Sequence, residues 1–316
     1  MVHVPEPQCA DAVLMVRPAA FDYNPQTAGS NALQRSQGPG AGDCRELARA
    51  EFDRVVKTLR GEGIRVCVAE DSRAPVKPDA IFPNNWVSFH AGGTLVLYPL
   101  AAANRRPERR REIVEQAASE LGFRVRRTVD LSHHETAGRY LEGTGSLVLD
   151  RAHRVAYACR SPRTDGQVLT EWSREMQYEA VPFSAADARG VPLYHTNVMM
   201  CIGTRFALVA AELIAPDDRP RVLERLAAGG REIVEIGGAE VEAFAGNMLE
   251  LGCWDEALGD SSVLVMSAAA RQALGARERA RLAACVDTVL PVPVPTIERL
   301  GGGSVRCMLA EVFSGP

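Results

Sequence analysis

The chain has 316 residues, of which 46% are hydrophobic, and a formal net charge of −4 at pH 7. Such a chain can bury one large core or two ordinary ones, and its slightly acidic balance offers no overall basic surface for nucleic acid or anionic lipid. The N-terminal residues have no apolar core of signal-peptide length, and no stretch approaches the roughly 20 apolar residues of a membrane span. We therefore expect a cytoplasmic protein with a small-molecule substrate and no nucleic-acid or membrane partner, and a homo-oligomer is compatible with this composition.

The chain repeats one kind of unit in the order strand, strand, helix, strand, although the copies share little identity. The first unit is split: it has the strand "AVLMVRP", the helix "CRELARAEFDRVVKTLRGEG" and the strand "IRVCVAE", and it lacks one strand that the C-terminal "RCMLAEVF" can supply. The four later units begin at "AIFPNNWVSF", "LEGTGSLVLD", "HTNVMMCIG" and "AGNMLELG". Their helices are predicted at about 107–121, near "GQVLTEWSREMQ", after Pro216 and at about 268–285.

Five such units, with the last strand pairing with the first, predict a closed ring that forms one domain over residues 1–316. The apolar runs in the strands are continuous rather than alternating. This pattern is typical of strands covered on both faces, so we expect an α/β protein with its helices on the outside. The polar, glycine-rich starts of the units would then converge on the centre of the ring.

Two polar stretches interrupt this pattern. Residues 22–43 are rich in Gly, Asn, Gln and Ser, and a loop of that length in a compact domain is typical of a lid or substrate loop. Residues 104–112, "NRRPERRRE", are predicted to be the solvated face of a helix.

The eight cysteines are scattered, with no Cys-x-x-Cys pair and no histidine spaced to complete a zinc site, so we expect reduced thiols and no metal. The pair His133 and His134, followed by Glu135, lacks a further ligand at metal spacing and is interpreted as a polar turn.

Three residues at the unit starts have the chemistry of a nucleophilic site: Cys307, His195 and Glu142. A thiol with a pKa of about 8.5 needs a base or a cationic neighbour to become a strong nucleophile, and a carboxylate can orient the imidazole that serves as that base. Each residue alone has an ordinary structural explanation, as a core thiol, a hydrogen-bonded imidazole and a capping carboxylate. The glycines 301–303 shortly before Cys307 favour the catalytic interpretation, because glycine allows close approach of chain or ligand.

Four motifs in order, "PDAIFPNNW", "LEGTGSLVL", "HTN" and the C-terminal "GGGSVRCML", resemble those of the amidine-hydrolase superfamily known as penteins. The resemblance spans nearly the whole chain. It implies a five-fold pseudosymmetric α/β propeller and a site without metal or cofactor. It also implies a covalent thiol intermediate, with Cys307 as nucleophile, His195 as general acid and base, and Glu142 as the partner of His195.

The same resemblance implies two roles in binding the substrate. Arg163, in "SPRT", occupies the place of an arginine that holds a substrate α-carboxylate, and a guanidinium fork suits that planar group. Asp79 occupies the place of an aspartate at the edge of the pocket, near the substrate amine.

The chain departs from its guanidinium-binding relatives at two places. It has Asn84 and Asn85 where those relatives have an aspartate, and Asn197 where arginine deiminases have another. Without these carboxylates, the charge of a buried cation would be poorly compensated. An amide, in contrast, can form hydrogen bonds with both the N–H donors and the carbonyl of a neutral ureido group.

We therefore expect a citrulline hydrolase, similar to the citrulline utilisation hydrolases, that yields ornithine, ammonia and carbon dioxide. The alternative with the same chemistry is an arginine deiminase or a methylarginine hydrolase. A further alternative is a pentein-fold binding protein without catalysis, which the presence of Cys307, His195 and Glu142 together disfavours.

Overall fold

Five three-stranded sheets form the frame of the molecule in the computed structural model, which describes residues 6–36, 43–255 and 259–313. The strands are β1 Ala12–Arg17, β2 Arg65–Glu70, β3 Val87–His90, β4 Thr94–Leu97, β5 Arg127–Asp130, β6 Leu147–Asp150, β7 Val155–Cys159, β8 Glu179–Phe183, β9 Met200–Ile202, β10 Phe206–Val209, β11 Glu232–Glu235, β12 Leu249–Asp255, β13 Gly259–Ser267, β14 Thr288–Val292 and β15 Ala310–Val312.

The α-helices lie between these strands along the chain. They are α1 Pro25–Ala28, α2 Cys44–Gly61, α3 Arg111–Leu121, α4 Gly143–Ser146, α5 Gly166–Met176, α6 Arg219–Ala227, α7 Gly238–Glu242, α8 Ala268–Ala273, α9 Ala276–Ala283 and α10 Pro295–Gly301. No helix in the described ranges is long and apolar enough to cross a membrane.

Every sheet has the same topology. Its first two strands are antiparallel and its second and third are parallel, as in β3–β4 and β4–β5. In the first sheet the missing strand comes from the far end of the chain, because β15 pairs antiparallel with β1. The predicted five-fold α/β propeller is therefore confirmed, including the closure of the ring by the C-terminal strand.

Strands such as β1, β3 and β7 are buried on both faces, whereas third strands such as β5 and β11 expose side chains to solvent, so the expectation of strands covered on both faces holds for only part of each sheet. In β1, Val13 and Met15 belong to one hydrophobic cluster, while Ala12 and Leu14 belong to another. Successive side chains of a strand point to opposite faces, so each face of β1 meets a different core. Full burial of a Val or Leu side chain contributes about 1.5–3 kcal/mol, which explains why β1 is apolar over residues 12–16.

Three element boundaries differ from the sequence expectation. Helix α3 begins at Arg111 rather than 107, because Pro107 lies in a separate 3-10 helix, Ala103–Glu108. Strand β5 begins only at Arg127. The single helix expected at 268–285 is two helices, since Gly275 has an extended conformation and caps the start of α9.

The expectation of a solvated helix face at residues 104–112 is wrong for two of its residues. Arg105 and Glu108 are both 2% exposed. The 3-10 helix turns them inward, where they form a bidentate ion pair with Nε–Oε1 and Nη2–Oε2 distances of 2.9 Å. Charge composition alone could not reveal this, since a buried pair and a solvated run contain the same residue types.

Candidate active site

The starts of the five units meet on one side of the ring, as their polar sequences suggested. Short turns at Pro83–Asn85 and Thr196–Val198 contact helix α4, whose sequence is "GTGS", and the turn at Val305–Met308 contacts Pro83–Asn85. Gly145 in this helix allows the close approach, because a Cβ there would lie 2.5 Å from Nδ2 of Asn85 and 2.8 Å from the ring of His195.

The thiol of Cys307 is 4% exposed and lines a small cavity with His195 and Asn85. Two amides flank its sulfur: Nδ2 of Asn247 lies 3.2 Å from Sγ, and Nδ2 of Asn197 lies 3.7 Å from it. The oxygens of the same amides lie 3.6 Å (Asn247) and 3.9 Å (Asn197) from Sγ, so the two side chains hold the sulfur at the cavity. No two cysteines in the described part of the chain form a disulfide.

His195 and Glu142 form a buried hydrogen-bonded pair, with Nε2 of the imidazole 2.8 Å from Oε2 of the carboxylate. Burial lowers the pKa of His195 to about 4, although the bond to Glu142 opposes this shift. Burial disfavours ionisation of Glu142, but the Arg163 guanidinium and the His195 bond outweigh it and hold the pKa of this carboxyl well below its usual value. At neutral pH the imidazole is therefore uncharged and able to accept a proton, and Glu142 is ionised.

The guanidinium of Arg163 is buried and fully engaged. Its Nη1 lies 3.3 Å from Oε2 of Glu142, while Nε and Nη2 bond to Oγ of Ser30 at 3.0 and 2.8 Å. Nη2 also donates to the carbonyl of Thr27 at 3.0 Å, and the group lies over the ring of Tyr194. Arg163 thus connects residues 27–30 to the carboxylate that holds His195.

Asp79 lies at the edge of the same cavity with an unused acceptor. Its Oδ2 accepts a hydrogen bond of 2.7 Å from Nδ2 of Asn24 and lies 3.7 Å from Nε of Arg105. Its Oδ1 is buried without a hydrogen-bond partner among the described residues, and burial raises the pKa of this carboxyl. A buried carboxylate oxygen without a partner is rare in native proteins, and a ligand donor would satisfy it.

The three predicted amides occupy different places. Asn85 lines the cavity. Its Nδ2 donates a 3.1 Å hydrogen bond to Oδ1 of the neighbouring Asn84. Asn197 lies beside the thiol and donates to the carbonyl of Thr144 at 3.1 Å. Asn85 is thus the amide that faces the cavity, and Asn197 faces Cys307.

Two site residues were not singled out from the sequence. Asn247, which contacts Cys307, opens the fifth unit in "AGNM", the same place in the repeat as Asn85 and Asn197. Comparison of the unit starts could have found it. Nothing in the sequence distinguishes Arg105 as a site residue. Only the fold shows that its Nη1 donates to Oδ1 of Asn85 at 2.9 Å.

The pair of Arg105 and Glu108 yields a stability prediction. Arg105→Gln should lower the free energy of unfolding by about 3–5 kcal/mol, because it leaves the Glu108 carboxylate buried without its cation. The double variant Arg105→Gln/Glu108→Gln should recover much of that loss, since no unpaired charge is left. Urea unfolding of the two variants measures this, and a loss below 1 kcal/mol in the single variant would show that the pair is not as buried as described.

Residues 22–36 cover the cavity. Asn31 donates through Nδ2 to the carbonyls of Gly301 and Gly302 at 3.3 and 3.2 Å. Gly302 has a φ of +59°, and a Cβ there would lie 2.5 Å from the Asn31 side chain. The enclosed space is only about 20 Å³, which is room for about one water molecule. Residues 37–42 of the expected lid lie outside the described residues.

A larger groove lies on the outer side of this segment. It has a volume of about 700 Å³, is bordered by residues 32–35 and 187–194, and shares Tyr194 with the small cavity.

Comparison with known proteins identifies the family. The model of the family described as N,N dimethylarginine dimethylhydrolase, eukaryotic, matches residues 17–314. The chain belongs to this family of pentein-fold hydrolases. A search among curated proteins found no match.

Solved structures share the fold at low sequence identity. The substrate-bound N-terminal domain of ArgZ, an arginine dihydrolase from Cyanobacteria, aligns with a TM-score of 0.72 at 18% identity, covering 96% of this chain and 98% of that one. Unliganded AgrE aligns with a TM-score of 0.71 at 18% identity over 96% of this chain and 39% of its own. An adduct of dimethylarginine dimethylaminohydrolase with S-methyl-L-thiocitrulline aligns with a TM-score of 0.63 at 16% identity, covering 95% of this chain and 98% of that one.

Proposed function

We propose that this pentein hydrolase cleaves the ureido group of citrulline, with Cys307 as the nucleophile. The observation that carries the proposal is the hydrogen bond from the buried Arg105 to Asn85, which fixes an uncharged amide at the cavity. Family membership supports an arginine-related substrate, and the charges around Asn85 favour a neutral member of that class.

Two guanidinium groups, those of Arg105 and Arg163, already border the cavity. At an effective dielectric constant of 20, like charges 4 Å apart repel by about 4 kcal/mol. The carboxylates of Asp79, Glu108 and Glu142 already lie near these two cations. A third buried guanidinium would have to share them, whereas a ureido group needs no such compensation.

The amide of Asn85 is suited to such a group. Its Oδ1 accepts from Arg105 and one hydrogen of its Nδ2 is donated to Asn84, which leaves the second Nδ2 hydrogen to donate. A ureido oxygen can accept this hydrogen bond. A guanidinium has only donors and cannot.

The proposed reaction uses Cys307 and His195, which line the same cavity. The neutral imidazole takes the thiol proton, and the thiolate attacks the ureido carbon. The bond from that carbon to the δ-nitrogen breaks, His195 returns the proton to that nitrogen, and ornithine leaves an S-carbamoyl cysteine. Water then attacks this thioester, gives its proton through His195, and releases carbamate, which decomposes to ammonia and carbon dioxide.

The remaining predicted residues bind the amino-acid end of citrulline. The unpaired Oδ1 of Asp79 would accept from the α-ammonium group. Arg163 would bind the α-carboxylate through the donors that now bond to Ser30 and Thr27. Backbone N–H groups of residues 301–304 would stabilise the developing oxyanion.

Residues 22–36 would act as the lid of this site. The enclosed cavity is too small for an amino acid, so the segment has to move when substrate binds. When substrate binds, its α-carboxylate replaces Ser30 and Thr27 as the hydrogen-bond partner of Arg163, which couples the movement of residues 22–36 to binding. Closure of the segment then excludes bulk water from the S-carbamoyl intermediate.

Arginine is the second candidate substrate. ArgZ, which shares the fold, is an arginine dihydrolase, and the family description names dimethylarginine. The carboxylates of Asp79 and Glu142 near the cavity would compensate part of a guanidinium charge.

Product analysis separates the candidates. Purified protein is incubated with citrulline or with arginine, and ornithine, citrulline and ammonia are followed. We expect ornithine from citrulline and little turnover of arginine. Citrulline or ornithine formed from arginine at a higher kcat/KM would establish the second candidate instead, and no product from either would favour a binding protein of this fold.

A further inference from the structure

A group of two histidines and one glutamate lies on the surface outside the active site. His133 and His134 belong to the 3-10 helix Ser132–Ala137, and Glu171 projects from the middle of helix α5. One ligand atom from each lies within 4.8 Å of the others, and no other group of three such side chains lies this close within residues 6–36, 43–255 and 259–313. The sequence concealed it, since Glu171 is remote from the histidines along the chain.

The neighbouring Glu135 does not belong to this group. Its Oε1 accepts a 2.8 Å bond from the backbone N–H of Leu100 and its Oε2 a 2.9 Å bond from Arg109. The carboxylate that completes the set therefore comes from α5, and "HHE" as a contiguous motif is not the ligand set.

Both imidazoles direct the same nitrogen toward Glu171. Nε2 of His134 lies 2.8 Å from Oε2 of Glu171, and Nε2 of His133 lies 4.0 Å from Oε1. Nδ1 of His133 lies 3.1 Å from the carbonyl of Asp130, to which an Nδ1–H donates. That bond leaves the Nε2 lone pair of His133 free for a cation, which is the usual second-shell arrangement of a metal-binding histidine.

We propose that His133, His134 and Glu171 form a binding site for a divalent cation of the Zn²⁺ class, with solvent completing its coordination. Bonds of about 2.0–2.2 Å place tetrahedral ligand atoms roughly 3.3–3.6 Å apart. The observed separations are 2.8 Å from His134 to Oε2 of Glu171 and 4.0 Å from His133 to Oε1, and all three ligand atoms lie within 4.8 Å of one another, so rotations of the side chains bring them to this spacing. Two imidazoles with one carboxylate suit zinc, nickel or cobalt rather than calcium or magnesium.

The site joins two segments that lead into the active site. The 3-10 helix continues through Tyr140 and Leu141 into Glu142, while α5 directly follows Arg163 and Asp165. These segments are already paired, because the N–H of Asp165 donates to the carbonyl of Tyr140 at 2.7 Å. A bound cation adds a second connection at their outer ends, so it stabilises the pairing of the segments that carry Glu142 and Arg163.

Metal titration tests the site. The full chain is freed of metal with a chelator and titrated with Zn²⁺ by calorimetry, beside His134→Ala and Glu171→Gln. His153→Ala is the matched control, because His153 is a surface histidine that contacts the carboxylate of Asp150 in another part of the same unit. We expect the wild type and the control to bind one more Zn²⁺ than the two site variants, and equal binding by all four proteins would overturn the proposal.

Cobalt identifies the ligands of that cation independently. Co²⁺ bound by imidazole and carboxylate lacks the thiolate-to-cobalt charge-transfer band that a cysteine ligand produces. We expect the Co²⁺ absorption spectrum of the wild type minus that of a site variant to lack this band. A charge-transfer band in that difference spectrum would assign the cation to a cysteine ligand and contradict the proposal. Zn²⁺ should also slow hydrogen exchange at residues 133–141 in the wild type and not in Glu171→Gln.

Discussion

Replacing Cys307 by alanine should reduce citrulline turnover by on the order of 10⁴-fold or more, because Cys307 is the only thiol among the described residues that line the cavity. The nearby amides of Asn197 and Asn247 would still be in place, so binding should persist while kcat is lost. Steady-state kinetics together with calorimetric binding of citrulline measures the two effects separately.

The matched control is Cys67→Ala. Cys67 is fully buried in β2, far from the cavity, and burial raises the pKa of its thiol to about 12. Its loss should reduce stability slightly and leave kcat unchanged. If Cys307→Ala kept more than a tenth of wild-type turnover with the fold intact, the nucleophile would have to be another group.

Replacing Asn85 by aspartate should change the substrate preference. The new carboxylate would pair with Arg105 and would lose the Nδ2 donor that faces the ureido oxygen. A lost hydrogen bond of this kind costs about 1–3 kcal/mol, so kcat/KM for citrulline should fall roughly 5- to 150-fold. The added negative charge favours a cation, so the kcat/KM ratio of arginine to citrulline should rise.

Gln167→Glu is the charge-matched control for this variant. Gln167 is exposed at the start of α5, where an added carboxylate meets solvent. Its kinetics should match the wild type for both substrates. An Asn85→Asp variant with an unchanged ratio of arginine to citrulline would mean that Asn85 does not contact the reacting group.

Much of the fold could be predicted from the sequence. The repeated order of apolar runs and helices indicated five units, and the unpaired first unit predicted that β15 closes the ring. The ends of helices were less predictable where a single Pro or Gly interrupts a helical pattern of apolar residues. Pro107 separates a 3-10 helix from α3, and Gly275 divides the last helical stretch.

The site was predictable where a residue carries its own chemistry. Cys307, His195 and Glu142 stood at unit starts, and the ring brings the thiol and the imidazole to one cavity. Arg105 was not predictable, because its role depends on a turn that buries it beside Asn85. The engagement of Arg163 with Ser30 likewise depends on how residues 22–36 fold over the cavity, which no local pattern encodes.

The most direct test of a citrulline hydrolase that acts through Cys307 is the mass of its covalent intermediate. Wild-type protein is mixed with citrulline, quenched in acid during turnover, digested and analysed by mass spectrometry. A carbamoyl group on the peptide that contains Cys307 is the expected result. A carbamoyl group on another cysteine, or an adduct on Cys307 that forms with arginine and not with citrulline, would contradict it.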